Sequence, residues 1–452
     1  MNRTFFWKSG LVGLLLCLVS GCQAVSPGQM MKPPAIEDTQ AELMRVMKES
    51  IPQGAQLTMP ALTEQKDVLF SVNLDQDRQN EIVAFYERKA TSSYEGASNG
   101  MIVMKKTGDA WKKVSEHEGK GDELERVIFQ DMTGDGLPEI AVGWSNGEGM
   151  NKELTVFTPQ VSQITLLWQH SYTAMGIGEI TGDSQADVAI VLHDRDNMTA
   201  EGKIFAYQQN QMKETDTLSL DGSVNGFSQV LIGKAAQDQQ GLFIDSQTGA
   251  HSALTDLFVR KNGKLVNVLL DASGQTTAFK AYALDCKDVN GDGIIEIGFL
   301  TEPLDSEDLA MSAIPWISTW NQWKPNNEWQ VVQENYTNYL LGIDFTIPQK
   351  WLNHYTVEVK SETNLEQIQF SYTGAAKNKR AVLFTLEAAK KKGEQKQSNN
   401  PKEWILGENN DRVLIVKMPE EPTGLSAEEM TQYRSLLLDP EMIRQSIKIF
   451  SM

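Results

Sequence analysis

The sequence predicts a mainly β molecule, a β-propeller of about five blades followed by a small α/β domain. Three observations carry this. From about residue 56, short runs rich in Val, Ile, Phe and Trp alternate with Gly, Asn and Asp turns, the texture of half-buried strands. A carboxylate-rich turn recurs along that stretch. Near residue 340 the pattern changes, and strand-like runs followed by a helical run close the chain.

At 452 residues the chain exceeds one ordinary domain. Residues 1–21 read as a leader. Arg3 and Lys8 give a positive start, and Leu11 to Val19 is an apolar run too short to span a bilayer. Val19-Ser20-Gly21-Cys22 puts small residues before a cysteine, an ending that resembles a bacterial lipobox. The resemblance implies an acylated Cys22 held in the lipid bilayer, on the extracytoplasmic face of a bacterial cell membrane. The plain alternative is an ordinary signal peptide cut nearby, with Cys22 left as a free thiol. Once Cys22 is acylated and Cys17 removed, Cys286 has no cysteine partner for an internal disulfide. In Ala281-Tyr282-Ala283-Leu284-Asp285-Cys286 it reads as a small buried hydrophobe. The net charge of -19 deepens to -21 when Arg3 and Lys8 leave with the leader. Such a balance disfavours nucleic acid and anionic headgroups as partners.

Residues 22–55 hold the lipidation site, a tether and a short helix. Pro27, Pro33 and Pro34 mark the tether. Ile36, Leu43, Met44, Met47 and Ile51 share one helical face, which Pro52 ends, and that face is expected to pack on the next domain.

Residues 56–338 carry the repeats. The reference turn is Asp131-Met132-Thr133-Gly134-Asp135-Gly136-Leu137-Pro138-Glu139. Its oxygens fall at positions 1, 3, 5 and 9 (Asp131, Thr133, Asp135, Glu139), and Leu137 at position 7 offers a carbonyl. A hard cation such as calcium takes six to eight oxygens, which a tight loop of this spacing can supply. Gly134 and Gly136 permit the curvature. The nearest copy has Asp288, Asn290, Asp292, Ile294 and Glu296 at the same five positions. Two weaker copies carry Asn73, Asp75, Asp77 and Glu81, and Glu179, Thr181, Asp183 and Asp187; Arg78 and Ser184 replace the glycine at position 6. A decayed copy at 234–242 keeps only Asp238 and should bind nothing. The competing reading is a tight turn in which Asp and Asn bond their own backbone. An EF-hand is disfavoured, because position 12 is Val142 or Phe299 and strands flank the loop.

Measured at position 5, the turns are 58, 48, 55 and 54 residues apart. A unit of this size holds four short strands, the content of one blade; Glu139 to Ser145, Glu153 to Thr158, Gln163 to His170 and Ala174 to Ile180 illustrate it. Stacking such sheets in a ring buries faces that one sheet leaves bare. The turns resemble FG-GAP or VCBS-type repeats of integrin-α-like β-propellers over roughly three-fifths of the chain. The resemblance implies structural calcium between blade strands.

Residues 339–452 open with Phe345-Thr346-Ile347-Pro348-Gln349-Lys350-Trp351. Strand-like runs follow at Tyr355 to Lys360, Gln367 to Tyr372, Ala381 to Ala388, Trp404 to Glu408 and Arg412 to Met418. A helical stretch, Ser426 to Leu437, leads into Ile443-Arg444-Gln445-Ser446-Ile447-Lys448. This segment resembles the Mog1/PsbP-like α/β sandwich, a group whose members mostly bind or assemble.

Catalytic patterns are thin. Gly143-Trp144-Ser145-Asn146-Gly147 fits G-x-S-x-G, but no helical pattern follows it. The five histidines are scattered and form no zinc motif. Trp316, Trp320, Trp323 and Trp329 read as packing residues before sugar platforms, and Lys390, Lys391, Lys392 and Lys396 as a solvated basic loop. The expectation is a non-enzymatic, calcium-supported binding or scaffold module for an envelope protein or cell-wall polymer. A sensory accessory to a membrane partner is the alternative, and a polysaccharide-acting hydrolase or lyase a third.

Overall fold

The computed structural model describes residues 38–62, 67–77, 79–89, 98–147, 152–160, 163–362, 365–374, 377–391, 400–409 and 411–450. The leader, Cys22, the tether and Lys392 and Lys396 lie outside them. The chain is mainly β, with strands gathered in several antiparallel sheets.

Sheet 1 holds β1 (Gln56–Thr58), β2 (Leu69–Val72), β3 (Glu81–Arg88), β4 (Ser98–Thr107) and β5 (Ala110–Glu118). Sheet 2 holds β6 (Glu123–Gln130), β7 (Glu139–Ser145), β8 (Lys152–Gln160) and β9 (Gln163–Tyr172). Sheet 3 holds β10 (Ala174–Gly178), β11 (Asp187–Asp194), β12 (Thr199–Gln208) and β13 (Gln211–Asp221). Sheet 4 holds β14 (Gly226–Ala236), β15 (Gln239–Thr248), β16 (Ser252–Lys261), β17 (Lys264–Asn267) and β18 (Phe279–Lys280). Sheet 5 runs β19 (Ile297–Thr301), β20 (Ile317–Trp323), β21 (Trp329–Asn338), β22 (Ile343–Ile347), with β28 (Ile447–Ile449) at its edge. Sheets 2 and 3 are simple meanders, each strand bonded to the next in sequence.

The stacking explains the composition of the strands. In β7, Ile140 and Val142 join a core with Phe85, Met101 and Val103 of sheet 1, while Ala141 faces Val188 and Ile190 of sheet 3. Every residue of β7 is buried. A strand covered on both faces reads as a continuous apolar run. Sheets 3 and 4 share Val191, Ile204, Leu242 and Ile244, and sheets 4 and 5 share Phe243, Leu257, Ile297 and Trp323. The first strands β6, β10 and β14 pack side by side, which brings the same end of each sheet together.

The two ends of the stack are covered differently. Helix α1 (Asp38–Ser50) lays Leu43 and Met47 on Ile82, Ala84, Tyr86, Ile102 and Met104 of sheet 1, as the helical face predicted. At the other end, Tyr336 and Phe345 of sheet 5 share a core with Trp351, Phe370 and Phe384. Those residues belong to the last quarter of the chain, a sheet ordered β23-β24-β25-β27-β26. Its strands are β23 (Tyr355–Glu362), β24 (Leu365–Tyr372), β25 (Ala381–Lys390), β26 (Glu403–Asn409) and β27 (Arg412–Lys417). Helices α2 (Ala427–Leu436) and α3 (Pro440–Ser446) complete it; Ser426 and Glu429 form a capping box on α2. Among the described residues, no hydrophobic core joins sheet 1 to sheet 5.

Two sequence expectations change in detail. The four strands grouped from Glu139 to Ile180 do not make one sheet: β7, β8 and β9 join β6, and β10 opens sheet 3. The reason is that the acidic turn is a connection inside a sheet, since Gln130 pairs with Glu139 across it. The chain also keeps its sheet across the expected boundary near 338. Strand β22 pairs with β21, Tyr336 facing Phe345.

Candidate metal turns

Each acidic turn links two antiparallel-paired stretches of chain. Val72 pairs with Glu81, Gln130 with Glu139, Gly178 with Asp187, and Lys287 with Glu296. The position-9 carboxylate opens β3, β7 and β11 in the first three and stands just before β19 in the last, and it is buried in all four: Glu81, Glu139, Asp187 and Glu296. It accepts the backbone N–H of position 2 each time, at 2.9 Å from Leu74, 2.7 Å from Met132, 2.8 Å from Ile180 and 2.8 Å from Val289. Burial pushes Glu139, Asp187 and Glu296 above the usual carboxylate range, against the pull of those N–H groups.

Position 1 organises the loop from the other side. Asp131 accepts the Gly134 and Gly136 N–H groups at 2.7 and 2.9 Å, and Asp288 those of Gly291 and Gly293 at 2.7 and 2.8 Å. Gly136 and Gly293 have φ of 85° and 81°, and Ser184 takes φ of 70° at the same position without a glycine. Asp135 and Asp292, at position 5, accept from Leu137 and Ile294 at 2.9 and 2.8 Å. These are the bonds of self-braced turns.

Neighbouring turns are stitched together. The Ala186 N–H, position 8 of the third turn, donates to the Asp131 carbonyl at 3.1 Å. Ile295, position 8 of the last turn, donates to the Lys234 carbonyl at 2.8 Å. Pro138 has no N–H at that position; there the Gln76 side-chain amide reaches the Asp135 carbonyl at 3.3 Å. The decayed copy is a tight hairpin, with β14 ending at Ala236 and β15 starting at Gln239, so Asp238 sits at its tip.

Among the described residues, two turns bring three carboxylates within metal-ligand reach of one another: Asp75, Asp77 and Glu81, and Asp288, Asp292 and Glu296. Asp131, Asp135 and Glu139, the reference set, do not gather as closely; Thr133 fills their position 3, and its hydroxyl donates to Glu139 at 3.3 Å. Asp183 and Asp187 stand with Thr181 in the same way.

The next strand along each sheet places across from the turn a residue that sequence reading missed. Ile82 pairs with Met104, Ile140 with Phe157, Val188 with Phe205 and Ile297 with Asn321. One residue further on, Lys105, Thr158, Ala206 and Gln322 stand across from the position-9 acids. The Lys105 ammonium contacts all three first-turn carboxylates, Asp75, Asp77 at 2.8 Å and Glu81 at 3.4 Å. Those bonds hold Asp77 below the usual carboxylate range and Lys105 above the usual lysine value. Thr158 donates to Glu139 at 2.9 Å. The Gln322 amide donates to Asp292 at 2.7 Å and Glu296 at 2.8 Å. Asp292 falls below the usual range: burial opposes this, but the Ile294, Gln322 and Asn290 bonds outweigh it. These partners lie 19 to 26 residues past the carboxylate, so only the strand register reveals them.

Other candidates resolve plainly. Ser145 ends β7 and exchanges hydrogen bonds with the Gly147 backbone. Trp320 and Trp323 are core residues, Trp329 packs on Phe299, and Trp316 on Tyr282. Cys286 is buried, and its thiol is pushed up by that burial. A cleft of about 720 Å³ opens beside β11, β12 and β13, lined by His193, Asp194, Glu201 and Ser219.

No family model matches the chain, and no curated protein matches it. Among solved structures, it is similar to the crystal structure of a protein from Lactobacillus plantarum determined by a structural genomics consortium. The two are 9% identical, the match covers 72% of this chain and 85% of that one, and the TM-score is 0.34.

Proposed function

We propose that the protein is a lipid-anchored, extracytoplasmic binding or scaffold module. Its sheets form a propeller-like array of FG-GAP/VCBS-type repeats braced by calcium, and its last quarter is a Mog1/PsbP-like domain. The observation that carries the calcium reading is the last turn. Asp288, Asp292 and Glu296 converge there, Asn290 and Ile294 stand at the positions that would add an amide oxygen and a carbonyl, and Gly291 and Gly293 take the positive φ that lets the loop close. Hard oxygens in that number suit calcium better than a softer ion. Bound there, calcium would neutralise carboxylates that now face each other, in a turn that Gln322 already joins to β20.

The scaffold reading rests on the architecture. Sheets stacked face to face form a stiff body, and their turns meet along one end, where a partner finds a fixed array of loops. The partner is an envelope protein or a cell-wall polymer. A sensory role is the second reading, favoured by the position of the last turn: its sheet shares a core with the last quarter of the chain, so an ion there acts close to that junction.

The test is capture from cell envelopes by soluble residues 23–452, in calcium and in chelator. A partner retained in both supports a scaffold with structural ions. One retained only in calcium supports the sensory reading. No protein retained, with turnover of a glycan substrate, would overturn both.

A further inference from the structure

We propose that Lys105 is the resident cation of the first turn, an internal ammonium standing where the repeat elsewhere offers a metal ion its place. This rests on the calcium reading of the last turn. The geometry is specific. Asp75 and Asp77 each divide their oxygens: Oδ1 of Asp75 accepts the Asp77 N–H at 3.3 Å and Oδ1 of Asp77 accepts the Gln79 N–H at 2.9 Å. Their Oδ2 atoms face the Lys105 Nζ. The buried Glu81 gives Oε2 to the Leu74 N–H and leaves Oε1 toward the same ammonium. Positions 3, 5 and 9 of the turn thus converge on one positive charge.

The strand register makes this a substitution within the repeat and not a chance ion pair. The same site across from position 9 is Thr158, Ala206 and Gln322 in the other sheets, all uncharged. Among the described residues, the first turn combines three gathered carboxylates with an ammonium in direct contact with all of them. The last turn also gathers three carboxylates, from positions 1, 5 and 9, and has a neutral amide in the lysine's place. A covalently attached ammonium does not leave when calcium falls. Sheet 1, beside α1, therefore keeps its turn at any calcium level, and ion dependence belongs to the far end of the stack, beside the last quarter of the chain.

The experiment is calcium titration by calorimetry, with thermal unfolding in calcium and in chelator, of wild type, Lys105→Gln and Lys105→Arg. Lys105→Gln puts the last turn's amide at the same register position. It should bind one calcium more than wild type, melt lower in chelator, and recover most of that loss in millimolar calcium. If Lys105→Gln fails to fold in chelator, folding restored by calcium is the same positive result. Lys105→Arg keeps the charge and should gain no calcium. Lys105→Gln with wild-type stoichiometry, and an equal loss in both buffers, overturns the proposal. The two readings fail separately. Wild type that binds calcium only while Asp292 is intact, with no gain in Lys105→Gln, rejects the Lys105 assignment and leaves the last turn standing. Wild type that binds none, with one gained in Lys105→Gln, does the reverse.

Discussion

Lys280 carries a charge into the interior where sheets 4 and 5 meet. Its ammonium reaches Asp245 at 2.8 Å and the Leu284 carbonyl at 2.5 Å, and Asp245 also accepts the Cys286 N–H at 2.9 Å. Removing one member of a buried pair leaves the other uncompensated. Lys280→Met should cost about 3–5 kcal/mol in urea unfolding, and adding Asp245→Asn should return part of it. A loss under about 1 kcal/mol would mean that water reaches the site. Glu334 is a half-buried acid, accepting from the Tyr355 hydroxyl at 2.7 Å, with desolvation raising it above the glutamate range. Its neutral form is favoured on folding. That contribution is complete below the unfolded-state carboxyl value and is lost as pH rises through the folded value. Glu334→Gln should flatten the stability–pH curve over that window; an unchanged slope would refute the assignment. Neither residue was legible in the sequence, because Asp245 and Lys280 meet within the packing of sheet 4 and Glu334 and Tyr355 meet between two different sheets, not through local spacing. Cys286, by contrast, read correctly as a buried hydrophobe.

At the scale of the element, the turn was the most legible feature. Its oxygen spacing fixed which residues face inward, and positions 1, 5 and 9 bond the backbone in the same way in copy after copy. Spacing did not reveal which copies gather their carboxylates. The first turn gathers them from positions 3, 5 and 9 and the last from positions 1, 5 and 9, each against a different residue across the sheet. Asp135→Ala tests the distinction. Asp135 braces the Leu137 N–H, so its loss should cost about 0.5–1.5 kcal/mol equally in calcium and in chelator. A loss confined to calcium would put an ion in the second turn as well. Strand positions in the last quarter followed from alternation: the runs read from Tyr355, Ala381 and Arg412 begin where β23, β25 and β27 begin. Sheet membership did not, since alternation marks a strand without naming its neighbour, and the run grouped with β7, β8 and β9 opens sheet 3 as β10.

For the whole molecule, the repeat spacing predicted a stack of similar sheets and the change of texture predicted a different terminal unit. The covering of the two ends was only half visible. The apolar face of α1 announced a packing role, whereas the shared core of sheet 5 and the last quarter did not show in the sequence, because β21 and β22 join across the expected boundary. Repeat arrays need their end faces covered. Deleting residues 1–52 should uncover the outer face of sheet 1 and cost roughly 3 kcal/mol or more, at about 1.5–3 kcal/mol for each of Leu43 and Met47; unchanged urea unfolding would show the helix to be dispensable. The account as a whole turns on calcium holding the last turn. The most direct measurement is thermal unfolding of residues 23–452 and of its Asp292→Ala variant, each in calcium and in chelator. The account predicts that calcium raises the wild-type midpoint and leaves the variant where the chelator puts it. A wild-type midpoint indifferent to calcium would contradict it.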